Sequence, residues 1–357
     1  MSALNRIVVI GPSWVGDAVM ATPALRLLRD HLPRATIDVL TKPPVEHVLD
    51  GLSTTNSVRA ANPRSLRQRL ALATSLRSEH YDAALLLSNG FGSALTARAA
   101  GIPRRVGYAR DSRSALLTDR LPAPKRQGST LFRPKWALVP AARYYLDAAS
   151  ALLGIEPLAE VPVMELALTP TDEAEARRLL DEAGVRTDQP IAVINPGGNN
   201  EAKRWSAERF AQLAKHLVGE HGLAVLINGS PAESVLTGSI ARASGAVSLP
   251  AIGGSIPGLK ALLSRAKLLV TNDTGPRHVA AAFGTPVVSL FGPTDHRWTT
   301  IPTRPLADGA ASEAILLADP TLPESELAND HPHRCRIDRI ELAAVIEASD
   351  RLLGAAT

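Results

Sequence analysis

RIVVIGPSWVGDAV, Arg6 to Val19, is an apolar run that ends in a glycine-bounded turn and delivers an acid to the start of a helix. The five residues Arg6–Ile10 read as a buried strand, because they are short, β-branched and stopped by Gly11-Pro12. Gly11 and Gly16 have the spacing of a phosphate loop, G-x-x-x-x-G-K-[ST], but Asp17 stands where that loop needs its lysine. An NTPase is therefore not expected. The dinucleotide fingerprint fails as well, since G-x-G-x-x-G requires a glycine where this chain has Ser13. What remains is a strand, a tight turn and a carboxylate at the carboxyl edge of a sheet, the edge at which open α/β sheets bind ligands. Asp17 stands there either at a ligand-binding edge or simply as a helix cap.

Outward from this stretch the rhythm is that of βαβ units. A helical pattern runs to about His31, interrupted at Thr22-Pro23. Strands are predicted at Thr36–Thr41, Tyr81–Ser88 and Arg105–Tyr108. After a charged amphipathic stretch, Leu168–Gln189, the pattern restarts. Strands follow at Pro190–Asn195, Leu223–Asn228, Lys267–Asn272 and Pro286–Phe291, with a helix capped by Ser206 whose inner face is Phe210, Leu213, Ala214, Leu217 and Val218. The chain is thus expected to hold two Rossmann-like domains, residues 1–167 and 168–336. A C-terminal helix over 337–357 is placed as crossing back to the first.

Composition agrees with α/β architecture: 357 residues, 45% hydrophobic and only 4% aromatic. A single cysteine, Cys335, excludes a disulfide framework and a cysteine zinc site within one chain. No leader or membrane-spanning run is read, so a soluble cytoplasmic protein is expected. The net charge of +4 is unevenly spread, residues 1–167 carrying 21 Lys and Arg against 13 Asp and Glu. Much of the excess lies in residues 104–135, which include Arg104, Arg105, Arg110, Arg113 and Arg133. That stretch can meet phosphates, carboxylates or an anionic membrane, or be a solvated loop. Nucleic acid is not expected, because the aromatics are too few to stack bases.

In the second half every strand exit ends in small and polar residues: Gly197-Gly198, Gly229-Ser230, Asp273-Thr274-Gly275 and Gly292-Pro293-Thr294-Asp295. In a parallel sheet these converge on one edge. The helix start at Thr274-Gly275 offers backbone N–H groups and the positive end of a macrodipole to a diphosphate.

At this point GPSWVGDAVMATPAL, YDAALLLSNGFGSALTARAAGIPRRVGY, NPGGNNEAKRWS, TNDTGPRHVAAA and LFGPTD, in that order, resemble the signatures of the ADP-heptose:lipopolysaccharide heptosyltransferase family, nearest its heptosyltransferase II branch. The resemblance implies a GT-B architecture, two Rossmann-like parallel-sheet domains facing each other across a cleft. It further implies an inverting, metal-independent glycosyltransferase that moves heptose from ADP-L-glycero-D-manno-heptose onto the lipopolysaccharide inner core. Alternatives are a relative using another nucleotide sugar, or a non-catalytic nucleotide- or glycan-binding protein. Carried over by position, Asp17 matches the general base and Lys203 the lysine beside the departing diphosphate. The donor-binding set is Ser13, Gly16, Gly197, Gly229, Ser230, Glu233, Asp273, Thr274, Gly275 and His278, with Glu233 on the ribose. Arg104, Arg105, Arg110 and Arg113 are assigned to an anionic, lipid-linked core oligosaccharide acceptor. The implied setting is cytoplasmic and peripheral to the inner membrane, with no cofactor and no metal. The chain departs from the family at Pro276-Arg277, and it keeps His331-Pro-His333-Arg-Cys335 without further cysteines.

Overall fold

The computed structural model describes residues 4–126, 128–130, 135–198 and 200–355, so Arg133 of the basic stretch and Asn199 of the glycine-rich segment lie outside the described residues. The chain falls into two units, Met1–Ala167 with Arg297–Pro302 and Leu168–His296 with Thr303–Thr357.

The first unit holds β1 (Arg6–Ile10), β2 (Thr36–Thr41), β3 (Ser57–Ala60), β4 (Ala83–Leu86), β5 (Arg104–Tyr108) and β6 (Asp119–Leu121) in the order β3-β2-β1-β4-β5-β6. Every pairing is parallel, and Ile7 lies between Ile37 and Ala83. The second unit holds β7 (Ile191–Asn195), β8 (Ala224–Ile227), β9 (Val247–Ser248), β10 (Leu268–Asn272), β11 (Val287–Phe291) and β12 (Glu313–Leu317) in the order β12-β11-β10-β7-β8-β9, again all parallel. Read from its other end, this is the same winding. In both sheets the order reverses between the first strand and the fourth, β1 beside β4 and β7 beside β10. Ligands bind at the carboxyl ends flanking such a switch point. The exits that matter are therefore those of β1, β4, β7 and β10.

The central strands are apolar on both faces because helices cover both, and Ile7, Val8, Val9, Ile191, Val193 and Ile194 are fully buried. The four strands with no counterpart in the periodicity, β3, β6, β9 and β12, are the four sheet edges. Edge strands are short and half-solvated, so they leave a weak apolar signal. The interruption at Thr22-Pro23 is a real break: one helix covers Val15–Met20 and another Thr22–His31, with Pro23 in the first turn of the second. The Ser206-capped helix spans Ala207–His221 with Phe210, Leu213, Ala214 and Leu217 buried, but Val218 is exposed and leaves the expected face.

One expectation needs correction. Helix Leu342–Ala355 packs on helix Ala207–His221 and across β10, β11 and β12, so it completes the second unit's core rather than crossing to the first. The charged stretch at Leu168–Gln189 belongs to the second unit. Its helix Pro170–Glu182 packs on helix Ile256–Arg265. The two are joined by a fully buried ion pair, Lys260 Nζ to Asp172 Oδ2 at 2.8 Å. Asp172 also accepts from the backbone N–H and the hydroxyl of Thr169, closing the helix N-terminus as a capping box.

Candidate active site

In the second unit the β7 and β10 exits are tied together by strand-terminal asparagines. Asn272, at the end of β10, donates to the carbonyls of Pro196 and Gly197 at 2.8 and 3.2 Å. Asn195, at the end of β7, donates to the Thr274 hydroxyl at 2.8 Å and accepts from Asn228 at 2.6 Å. These side chains are buried or half-buried, and satisfying one another is what permits so polar a floor under the loops. On this floor Lys203 Nζ meets Asp273 Oδ2 at 3.0 Å, with the lysine side chain one-fifth exposed and the carboxylate nearly covered. A cation is thereby fixed at the edge of the switch point.

The helix Gly275–Phe283 starts beside this pair, with Thr274 as N-cap and no side chain capping its N-terminus. The Thr274 hydroxyl is instead engaged with Asn195, Thr271 and the Asn272 carbonyl. The arrangement puts a positive macrodipole end, with its uncapped backbone N–H groups, next to an ammonium group held by Asp273, and these are the donors an anion would meet. His278, one turn inside, is buried, and neither ring nitrogen has a hydrogen-bond partner among the described residues. Burial first, and then the Arg277 charge, pushes its imidazole down to about 3, so it is neutral at any working pH. Arg277, where the chain departs from the family, is fully buried and grips Glu313 on β12 through Nε and Nη2 while lying over Phe291. Arg277 thereby clamps the helix to the edge strand.

Glu233 joins the exits of β7 and β8. Its Oε1 accepts from the Gly198 N–H at 2.9 Å, and its Oε2 from the Ser230 N–H and hydroxyl at 2.8 Å each. Burial drives this carboxyl up, but the hydrogen bonds from Ser230 and Gly198 and the nearby Arg204 outweigh it and hold it below the usual range. A Cβ at Gly197 would fall 2.4 Å from Glu233 Oε1 and push the carboxylate from its place. Gly229 packs closely too, a Cβ falling 2.7 Å from Thr237 Cγ2. The loop Gly292–Asp295 is held differently: Asp295 accepts from the Ala328 N–H at 3.1 Å, and a Cβ at Gly292 would stand 2.8 Å from that of Ile337.

In the first unit Asp17 is the third residue of helix Val15–Met20, and the N-cap is Trp14. Its Oδ1 accepts from the Tyr145 hydroxyl at 3.0 Å. Burial, and after it the Asp17 charge, raises the Tyr145 phenol well above its ordinary value, so it remains a donor. Ser13 and Gly16 lie in the same turn, within the first unit, whereas the rest of the expected donor set lies in the second. At the neighbouring β4 exit Asn89 Oδ1 accepts from Tyr144 and from Arg113, each at 3.0 Å, and Tyr144 stacks on Tyr108. Three of the chain's four tyrosines thus gather at one switch point. They were not singled out from the sequence, although Arg143-Tyr-Tyr145 in an aromatic-poor chain was a usable signal, as were the asparagines that end β7 and β10 and follow β8.

The expected four-arginine patch does not survive as such. Arg113 is fully buried, spending its guanidinium on the carbonyls of Leu86, Ser88 and Tyr108 and on Asn89, and burial pulls it down to about 10. Arg104 pairs with Asp119 at 3.1 Å and caps the end of helix Ala141–Leu153 through the Leu152 carbonyl. Arg105 donates to the carbonyls of Leu116, Ile102 and Pro103. Only Arg110 presents a stacked, partly exposed guanidinium, 4.0 Å from the Trp136 ring centre. Basic residues in a loop-rich stretch need acceptors, and buried carbonyls supply them.

Elsewhere, His216 and His221 both reach Asp350 Oδ1, at 2.8 and 2.7 Å, forming the one cluster of three metal-ligating side chains among the described residues. The His331–Cys335 segment does not gather such a cluster there: His331 pairs with Glu326, and Cys335 is buried.

Comparison with known proteins agrees with this geometry. Residues 69–319 match the model of "Glycosyltransferase family 9 (heptosyltransferase)". The chain is 30% identical to lipopolysaccharide heptosyltransferase 2 of Escherichia coli (strain K12), over 82% of this chain and 84% of that protein. It is also 30% identical to lipooligosaccharide heptosyltransferase 2 of Haemophilus influenzae, over 85% and 87%. Among solved structures it is similar to E. coli ADP-heptose lps heptosyltransferase II, with a TM-score of 0.75 at 26% identity, covering 98% of each chain. A glycosyltransferase family 9 structure from Veillonella parvula shares the fold at a TM-score of 0.78 and 19% identity.

Proposed function

The chain belongs to glycosyltransferase family 9, the heptosyltransferases, and on that premise we propose that it transfers a heptose from ADP-heptose to the lipopolysaccharide inner core with inversion at the anomeric carbon. The observation that carries the reading is the Lys203–Asp273 pair beside the uncapped helix start at Thr274–Gly275. A nucleoside diphosphate leaving group gains negative charge as its bond to the sugar breaks, and donors already fixed where that charge develops stabilise it most. Lys203 and the Thr274 and Gly275 amides would hold the diphosphate. Gly197, Gly229 and Ser230 would leave room for the nucleotide, and Glu233 would take the ribose hydroxyls through its remaining lone pairs. Neutral His278 would donate or accept without adding charge.

The first unit would supply the base. Asp17 takes the proton of the acceptor hydroxyl as that oxygen bonds to the anomeric carbon; the carbon–oxygen bond to the diphosphate breaks, and ADP leaves with the electron pair. A single displacement of this kind inverts the centre. Tyr145 would orient the carboxylate as a positioning residue. The acceptor, anionic through its Kdo carboxylates and lipid A phosphates, is lipid-linked. No helix among the described residues is long and apolar enough to cross a membrane, so the enzyme would meet it peripherally, at the cytoplasmic face of the inner membrane.

Replacing Lys203 by alanine is expected to lower kcat by about 10²-fold, the size seen when one preorganised oxyanion donor is removed, with a smaller change in donor KM. Rates within twofold of wild type would remove the lysine from the mechanism. Turnover is also expected to persist in excess EDTA, because Lys203 and the helix amides supply the positive potential that a metal would otherwise provide. Activity lost to EDTA and restored by magnesium or manganese would contradict this.

A further inference from the structure

We propose that the carboxyl edge of the first sheet is a docking surface for an anionic phospholipid bilayer, built on Trp14, Leu66, Leu70, Phe91, Arg64 and Arg67. This rests on the proposed lipid-linked acceptor, because a sugar anchored in a bilayer must reach Asp17 from the membrane plane. A surface that grips the bilayer therefore has to share the edge on which Asp17 lies.

The topology places these residues on that edge. Trp14 is in the turn that leaves β1, and Phe91 opens the helix Phe91–Ala99 that follows β4. Leu66 opens the helix Leu66–Ser78, which returns from β3 to β4 and so begins at the carboxyl ends of the parallel strands. Arg69 joins the two latter helices by donating to the Gly92 carbonyl at 2.8 Å. Trp14, Leu66, Leu70 and Phe91 are 64, 67, 52 and 47% exposed, and they are four of the five large apolar side chains that the first unit leaves exposed among its described residues. Apolar side chains collected on one edge of a domain mark an interaction surface, whereas scattered ones do not.

Charge selects the partner. From Gly51 to Ser78 the chain has five arginines and no Asp or Glu, and Arg64 and Arg67 are exposed around the first turn of the helix. Exposed leucines with arginines and flanking aromatic rings match the interfacial zone of an anionic bilayer, where rings and aliphatic side chains enter the headgroup layer and guanidinium groups meet phosphates.

The test is flotation of the full chain with vesicles rich in phosphatidylglycerol against vesicles of phosphatidylcholine, for the wild type, Leu66→Glu/Leu70→Glu and Arg64→Gln/Arg67→Gln. The wild type should float with the anionic vesicles and be released by salt. The leucine pair should lose about tenfold in bound fraction, and the arginine pair should lose its preference for anionic lipid, both with unchanged thermal melts. Turnover of a delipidated, soluble core acceptor should be unchanged in both. Wild type that ignores anionic vesicles, or a leucine pair that floats as wild type does, overturns the proposal. So does a sedimentation shift from dimer to monomer in the leucine pair with no effect on flotation, which would make this edge a contact between copies of the chain. Failure of the wild type to turn over the soluble acceptor would instead strike the proposed activity, and the flotation result would stand apart from it.

Discussion

Asp17→Asn should lower transfer by about 10²–10⁴-fold, the usual contribution of a general base, while ADP binding stays at its wild-type affinity. The amide is isosteric and its oxygen can still accept from Tyr145, so the helix Val15–Met20 and the hydroxyl contact at 3.0 Å should persist. What disappears is the capacity to take a proton. Helix capping does not compete with this reading in its simplest form, because Trp14 occupies the cap position. Steady-state kinetics with ADP-heptose and a truncated core acceptor, beside ADP titration calorimetry, provide the check. A mutant with near-normal kcat would reduce Asp17 to a structural acid and remove the proposed mechanism.

Lys260→Met should destabilise the second unit by about 3–5 kcal/mol, the typical result of stripping one partner from a buried pair. The methionine fills much of the same volume, but Asp172 is left with its charge inside and with only Thr169 among its known donors still in place. Adding Asp172→Asn to Lys260→Met should recover a good part of the loss, since the pair itself contributes little beyond avoiding an orphaned charge. Thermal unfolding would show it as a fall on the order of 10 °C for the single variant. A melt within two degrees of wild type, or a double variant worse than the single, would mean that water reaches the pair.

The interior strands were legible in the sequence because both faces are covered, so each reads as an unbroken apolar run bounded by glycine or proline. Arg6–Ile10 and Ile191–Asn195 are the clearest. The edges were not legible, because Ser57–Ala60 and Asp119–Leu121 have one side open to water and no such run. The loops Gly197-Gly198 and Asp273-Thr274-Gly275 fell where expected, at the β7 and β10 exits, since glycine and turn chemistry are local signals. The partners of those loops are set by tertiary structure: Lys203 on Asp273 spans seventy residues of sequence, and Tyr145 on Asp17 spans 128. Charge misled most. Arg104, Arg105 and Arg113 look like a surface patch in a line of text, yet Arg113 is buried, and all three donate to main-chain carbonyls, Arg104 also to Asp119.

Transfer of heptose from ADP-heptose to a lipopolysaccharide core acceptor can be measured by incubating the protein with ADP-heptose and a delipidated Kdo-terminated core fragment that already carries the preceding sugar, then following ADP release and acceptor mass together. Stoichiometric ADP and a mass gain of one heptose are expected, lost together in Asp17→Asn. ADP released without any mass gain, or no turnover by a protein that binds ADP, would contradict the proposed transfer.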